Sequence, residues 1–132
     1  MSTPAPSAAA SLGQVFTPEV VVHAMLRLRN NTGRVLEPSC GDGAFLRHLH
    51  QVTGIELDPA HCPPQALNID FFAYPESEKF DTVIGNPPYV RYQDIAAPTR
   101  ALLRQDGFDG RSNLYLFFIE KCVRHLAPGG EL

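Results

Sequence analysis

Several features that would assign the chain to a special class are missing from its 132 residues. No apolar run approaches the roughly 20 residues of a membrane-spanning helix, so the sequence predicts no membrane segment. The three cysteines, Cys40, Cys62 and Cys122, are odd in number and widely spaced. That pattern argues against a disulfide framework and a C-x₂-C zinc site, and it favours a reducing cytoplasm.

An excess of basic residues is also missing. The formal net charge is −3, whereas nucleic-acid binding usually rests on a basic face. One segment does collect arginines, but aspartates dilute them, and we predict a solvated loop of mixed charge there. These arginines are Arg91, Arg100, Arg104 and Arg111. If the chain acts on nucleic acid, most of the phosphate contacts are expected elsewhere.

The chain divides into a short arm and one globular part. Residues 1–12 are rich in Ala, Ser and Pro and lack the basic and apolar regions of a signal peptide, so we predict a disordered arm. Residues 13–132 are predicted to form one domain, since 44% of the chain is hydrophobic and can supply a core.

Strand and helix patterns alternate along the domain, which predicts an α/β fold with a parallel sheet and right-handed crossovers. Strands are predicted at 34–37, 52–57, 66–69 and 80–85, and helices at 19–28, 44–49, around 98–104 and at 113–126. Thr17 is the predicted N-cap of the first helix and Pro18 its first residue. Pro128-Gly129-Gly130 is predicted as a turn before another strand that begins at Glu131.

The polar residues of note follow the predicted strands, where parallel sheets bind ligands. Gly41 and Gly43 follow the first strand and allow a ligand to approach the backbone closely. The turn is not a G-x-G-x-x-G sequence and no Walker lysine follows, so a dinucleotide or a triphosphate fits poorly. Tight packing of the strand against its helix is the other reading of these glycines.

Acidic residues end the next two strands. Glu56 lies about 20 positions beyond the first strand, where an acid commonly binds two ribose hydroxyls. We expect Asp58 to cap the next turn. Asp70 could accept from an adenine amino group with Phe71 against the base, or it could be another cap.

The last strand ends in Asn86-Pro87-Pro88-Tyr89. This tetrapeptide combines an amide, a rigid turn and an aromatic ring, which suits a grip on the amino group of a planar base; a Pro-Pro turn is the simpler reading. The strand ends together describe an adenosine cofactor without phosphates beside a second planar substrate. The five histidines have no evident partner motif, so we predict no catalytic histidine and no metal-ligand cluster.

In the order of its motifs the sequence closely resembles the DNA N6-adenine methyltransferases of restriction–modification systems. The resemblance rests on Gln14-Val15-Phe16-Thr17-Pro18, on 36–46 (Leu-Glu-Pro-Ser-Cys-Gly-Asp-Gly-Ala-Phe-Leu), on Gly54-Ile55-Glu56-Leu57-Asp58, on Asn68-Ile69-Asp70-Phe71 and on residues 86–89. It implies a Rossmann-like fold, S-adenosylmethionine as the cofactor, and methyl transfer to N6 of an adenine flipped out of double-stranded DNA.

The resemblance also assigns the site residues. Those implied to bind the cofactor are Phe16, Thr17, Glu37, Pro38, Ser39, Gly41, Gly43, Glu56, Leu57, Asp70 and Phe71. Those implied to act on the adenine are Asn86, Pro87, Pro88 and Tyr89. The motif order is that of the gamma group, whose recognition domain follows the catalytic motif.

Compared with that family, the chain lacks the rest of the sheet, the aromatic motif that stacks on the flipped base, and the recognition domain. We therefore expect a C-terminally truncated fragment, with strand 80–85 as an unpaired edge that invites self-association. Two alternatives stay open. One is an N-methyltransferase for a protein glutamine or an rRNA base, and the other is a non-catalytic cofactor-binding fragment.

Overall fold

A parallel sheet lies at the centre of the described part of the chain, which in this computed structural model is residues 16–103 and 112–132. Within these residues its four strands have the order β2–β1–β3–β4. The strands are β1 (Val35–Glu37), β2 (Val52–Gly54), β3 (Phe80–Val83) and β4 (Leu126–Glu131). The register places Val35 of β1 beside Val52 of β2 and Thr82 of β3. The predicted α/β class with a parallel sheet is confirmed.

Helices cover both faces of the sheet. They are α1 (Glu19–Arg27), α2 (Ala97–Arg100) and α3 (Leu114–Arg124), with 3₁₀ turns at Leu46–His48, Phe71–Ala73 and Tyr92–Asp94. Val35 faces a cluster with Val22 of α1, whereas Leu36 faces a cluster with Phe118 of α3. Because β1 is covered on both sides, all of its residues are buried, and its sequence is apolar up to Glu37.

Several predicted boundaries are wrong. The N-cap of α1 is Pro18 rather than Thr17, and its carbonyl accepts from the N–H groups of Val21 and Val22. The helix predicted at 44–49 is only a 3₁₀ turn, and the strand predicted at 66–69 is a single bridge between Ile55 and Leu67. Hydrophobic spacing shows which side chains are buried, but it does not distinguish a full helix from one turn.

The largest error concerns the end of the sheet. Pro128-Gly129-Gly130 was predicted as a turn, but it lies inside β4, which pairs with β3. The carboxylate of Glu131 fixes this strand, since it accepts from the N–H of Asn31 at 2.7 Å and from Thr82 Oγ1 at 3.0 Å. Strand β3 is therefore interior, and the prediction that residues 80–85 form an exposed edge is wrong.

Some predictions lie outside the described residues. These are the disordered arm at 1–12 and the part of the arginine-containing loop that holds Arg104 and Arg111. Within residues 16–103 and 112–132, no helix is both long enough and apolar enough to cross a membrane.

His125 gives the fold a pH dependence. Its side chain is fully buried beside Phe71, Tyr74 and Phe80, with Nδ1 2.7 Å from the carbonyl oxygen of Glu78. Among the described residues, Nε2 has no hydrogen-bond partner. Burial lowers the pKa of His125 below its usual 6.5, so the unfolded chain takes up the proton first.

We therefore expect the stabilising contribution of neutral His125 to be lost as the pH falls below about 6.5. In His125→Phe this loss should be absent. Urea unfolding of both proteins between pH 5 and 8 measures this loss. On acidification, the free energy of unfolding of the wild type should fall relative to that of the variant. Parallel pH profiles would contradict this role of His125.

Candidate functional site

A cavity lies beyond the carboxyl ends of β1, β2 and β3, where the strand order predicts a ligand. We call it the strand-end cavity. Ten of the predicted site residues line it: Phe16, Pro38, Ser39, Gly41, Glu56, Leu57, Asp70, Phe71, Asn86 and Pro88. The fold thus brings together residues that are up to 72 positions apart in the sequence, from Phe16 to Pro88.

The glycine turn after β1 forms one wall of the cavity. Gly41 has a φ of +54°, and a Cβ there would lie 3.3 Å from the ring of Phe16. A hydrogen bond of 2.9 Å from the N–H of Cys40 to the carbonyl of Ile55 fixes the turn against the second strand. Gly43, with a φ of +94°, lies behind this wall, and its nearest side chains are Pro63 and Leu46.

Glu56 connects the ends of the first two strands. Its carboxylate accepts from the N–H of Gly41 at 2.9 Å and from the N–H of Asp58 at 2.8 Å. The residue is only 1% exposed, yet it lines the strand-end cavity. Asp58 itself accepts from the N–H of Ala60 at 2.9 Å, so it caps the next turn as predicted.

Asp70 has the geometry of a cap and also lines the cavity. Its Oδ1 accepts from the N–H of Phe72 at 3.0 Å, and its Oδ2 accepts from the hydroxyl of Thr99 at 2.6 Å. The ring of Phe71 lies mainly in the core, with its centroid 4.7 Å from that of Phe118. The contact with Thr99 was missed, since a lone threonine within the short helix α2 gives no signal in the sequence.

The tetrapeptide 86–89 separates two surfaces. Asn86 and Pro88 line the strand-end cavity, whereas Pro87 and Tyr89 line an adjacent groove that also contains Tyr115. The carbonyl of Asn86 accepts from Ser39 Oγ at 3.0 Å, which ties the tetrapeptide to the glycine turn. Within the described residues, the side-chain amide of Asn86 makes no hydrogen bond and is available to a ligand.

The other end of the tetrapeptide is held by the start of α3. Asn113 Oδ1 accepts from the N–H of Val90 at 3.0 Å and from the N–H of Tyr115 at 3.2 Å. The N–H of Leu114 donates to the carbonyl of Val90 at 2.8 Å. The rings of Tyr89 and Tyr115 lie 5.3 Å apart. Sequence reasoning placed Asn113 only at a helix start and missed this second partner.

Glu37 and Thr17 lie beside the strand-end cavity rather than on it. Both line a smaller pocket that Asn86 also contacts. The Glu37 carboxylate is fully buried and accepts from the N–H of Ser39 at 2.9 Å. A Cβ on Gly85 would come within 2.4 Å of this carboxylate, so the close approach requires glycine at position 85. Burial, together with the nearby charge of Glu56, raises the pKa of Glu37 to about 8.

The raised pKa of Glu37 predicts that the free energy of unfolding depends on pH. The folded chain keeps the proton up to about pH 8, whereas the unfolded chain releases it near 4.5, so this contribution to stability falls as the pH rises between those values. Glu37→Gln cannot ionise and should gain stability relative to the wild type across that window, by on the order of a few kcal/mol.

Chemical denaturation at several pH values measures the gain, and Glu78→Gln is the matched control. Glu78 pairs with Arg34 at the surface, at 3.1 Å, so its substitution should leave the pH profile almost unchanged. If Glu37→Gln were no better at pH 8 than at pH 5, the buried carboxyl would not be protonated in the fold.

Two family models match the chain. The model of the Eco57I restriction-modification methylases matches residues 50–132, and that of the N-6 DNA methylases matches residues 1–61. Together they cover the glycine turn, Glu56, Asp70 and the tetrapeptide.

Curated relatives agree with these matches. The chain is 37% identical to the type II methyltransferase M.TthHB8I of Thermus thermophilus, over 99% of this chain and 36% of that protein. It is 34% identical to M.HincII of Haemophilus influenzae, over 92% of this chain and 27% of that protein. The chain therefore spans between about a quarter and a third of the length of these relatives.

Solved structures show the same fold. A class I S-adenosylmethionine-dependent methyltransferase from Listeria monocytogenes superposes with a TM-score of 0.61 at 20% identity, over 85% of this chain and 42% of that one. The modification subunit of a type I restriction enzyme from Vibrio vulnificus superposes with a TM-score of 0.65 at 17% identity, over 86% and 31%. With this fold and a family model that matches more than half of its length, the chain belongs to the Eco57I restriction-modification methylase family.

Proposed function

We propose that the chain is the cofactor-binding and catalytic-motif part of a site-specific DNA methyltransferase that methylates adenine at N6. The observation that carries the proposal is the contact between Ser39 Oγ and the carbonyl of Asn86. It holds the tetrapeptide against the glycine turn, so that Asn86 lines the same cavity as Glu56 and Asp70.

The residues of the strand-end cavity fit S-adenosylmethionine. Gly41 leaves beside Phe16 a space that a Cβ would fill, and Glu56 lies next to it as an acceptor for ribose hydroxyls. Asp70 and the apolar residues Leu57 and Phe72 offer a place for the adenine. Among the described lining residues there are acids but neither Lys nor Arg, which favours a cation over a phosphate.

When bound, this cofactor supplies a methyl group activated by its sulfonium. The protein's part is to present the acceptor nitrogen. The Asn86 amide oxygen and the carbonyl of Pro87 would accept from the two N6 hydrogens, which directs the nitrogen lone pair toward the methyl group. These fixed acceptors also stabilise the positive charge that develops on the amino group.

The target adenine must leave the duplex to reach Asn86, at a cost of a few kcal/mol. Tyr89 is 55% exposed and is supported from behind by Tyr115, which suits it to stack on a flipped base. Base–aromatic stacking is worth about 1–3 kcal/mol, enough to offset much of that cost. Pro87 and Pro88 keep the amide and the ring at a fixed separation.

The substitution Asn86→Ala tests whether Asn86 acts on the target adenine rather than on the cofactor. In protein expressed from its complete open reading frame, we expect methyl transfer to DNA to fall by at least about 100-fold, because one fixed acceptor is lost. Affinity for S-adenosylhomocysteine, measured by calorimetry, should change little. Tyr89→Phe is the matched control, since it retains the ring and should retain most of the activity.

Loss of cofactor affinity in Asn86→Ala would mean that this amide binds the cofactor instead. Methylation of rRNA or of a protein, with none of DNA, would establish the alternative N-methyltransferase. Cofactor binding by the 132-residue chain without any methyl transfer would support the non-catalytic fragment, and methyl transfer by this chain alone would exclude it.

Asn113 supplies a second prediction, because it positions the tetrapeptide without facing the strand-end cavity. Asn113→Ala removes the acceptor for the N–H of Val90, so kcat should fall by about tenfold or more while the KM for the cofactor is kept. Asn113→Asp keeps an acceptor oxygen and should rescue the rate. Loss of the cap also costs about 1 kcal/mol of stability, so kcat is measured well below the melting temperature. An unchanged kcat in Asn113→Ala would contradict the positioning role.

A further inference from the structure

Three potential metal ligands meet on the surface next to the glycine turn. Glu19 and His23 are four residues apart on α1, and His48 belongs to the 3₁₀ turn Leu46–His48. Glu19 Oε2 lies 3.1 Å from His48 Nε2 and 3.4 Å from His23 Nε2. Their ligand atoms all lie within 4.8 Å of one another. The sequence predicted no metal-ligand cluster, because His48 is remote in sequence from the other two.

We propose that Glu19, His23 and His48 bind a divalent transition-metal ion, with Zn²⁺ as the reference case. Two imidazoles and one carboxylate are a donor set that zinc accepts. Zinc–nitrogen and zinc–oxygen bonds of about 2.0–2.2 Å place neighbouring tetrahedral donors roughly 3.3–3.5 Å apart, close to the two distances to Glu19 Oε2. Imidazole is a poor ligand for Mg²⁺ and Ca²⁺, which prefer oxygen, so these ions are not expected to compete.

The imidazole rings are arranged for a shared ligand rather than for separate ion pairs. Their centroids are 4.7 Å apart with an interplanar angle of 56°, so both Nε2 atoms approach the same carboxylate oxygen. A metal ion between them would replace the contacts with Oε2 by coordinate bonds. The three side chains are between 32% and 53% exposed, so a water molecule can complete the coordination.

Arg47 has two opposing effects on this site. Its Nη2 lies 2.8 Å from Glu19 Oε1, the oxygen that the histidines do not contact. The guanidinium therefore orients the carboxylate and leaves Oε2 for the metal, as an outer partner does in known sites. Its positive charge also opposes a cation, which sets a moderate rather than a tight affinity.

A bound ion would connect two elements that border the cavities. Helix α1 follows Phe16, and the turn of His48 follows the glycine turn that contains Gly41. Metal binding should therefore raise the melting temperature, because it stabilises the folded arrangement of α1 against this turn. The effect does not depend on the proposed methyl transfer.

Zinc titration of the untagged chain, by calorimetry at pH 7.5, tests the site. We expect one Zn²⁺ per chain at this site and a rise in melting temperature on saturation. His23→Gln and His48→Gln should each weaken binding by at least about tenfold, with a smaller rise. The matched control is His50→Gln, since His50 is exposed two residues from His48 but does not belong to the cluster.

A second measurement uses only the wild type and so does not depend on how well the variants fold. Substoichiometric Co²⁺ added to the wild type should selectively broaden the NMR signals of the His23 and His48 rings. Equal broadening of the His50 and His61 ring signals would overturn the proposal. An equal loss of zinc affinity in His50→Gln and His48→Gln would also overturn the proposal.

Discussion

The geometry of the site depends on the two hydrogen bonds that the carboxylate of Glu56 accepts. The carboxylate accepts from two backbone N–H groups, those of Gly41 and Asp58, and so joins the turn after β1 to the end of β2. Neither strand exceeds three residues, so pairing alone would fix the two ends weakly. A buried acceptor with two backbone partners supplies the missing constraint, because an orphaned N–H or carboxylate in the interior would be costly.

Three other side chains of the site also accept from backbone N–H groups. Glu37, Asp70 and Asn113 each accept from the N–H group two residues further along the chain. Each then reaches a second element: Glu37 packs against Gly85, Asp70 binds Thr99, and Asn113 binds Val90. Local turns and long-range contacts therefore share the same side chains. This sharing preorganises the walls of the cavity before any ligand binds.

The positions of the polar residues were predictable from the sequence, since residues that follow the strands of a parallel sheet meet at one edge. Nine of the ten predicted site residues that line the cavity end or follow a predicted strand, and only Phe16, which precedes α1, does not. The path of residues 126–131 was not predictable, because Pro128-Gly129-Gly130 has the composition of a turn. What keeps it in the sheet is Glu131, whose partners Asn31 and Thr82 are remote in sequence.

The cluster of Glu19, His23 and His48 was missed for a similar reason. Only the packing of α1 against the turn after Gly43 brings His48 to the helix. Side-chain partners that come from a different element leave no periodic signal in a single sequence. The hydrogen bond from Ser39 Oγ to the carbonyl of Asn86 is of the same kind, since the two residues come from different elements and are 47 positions apart.

We propose that the strand-end cavity binds S-adenosylmethionine through the glycine turn and the two acids. Amide chemical shifts, measured while S-adenosylhomocysteine is added to the chain, test this binding. The largest changes are predicted at Gly41, Leu57 and Phe72, which line the cavity or bond to its acids. Changes confined to the groove of Tyr89 and Tyr115, or no changes at millimolar ligand, would contradict it.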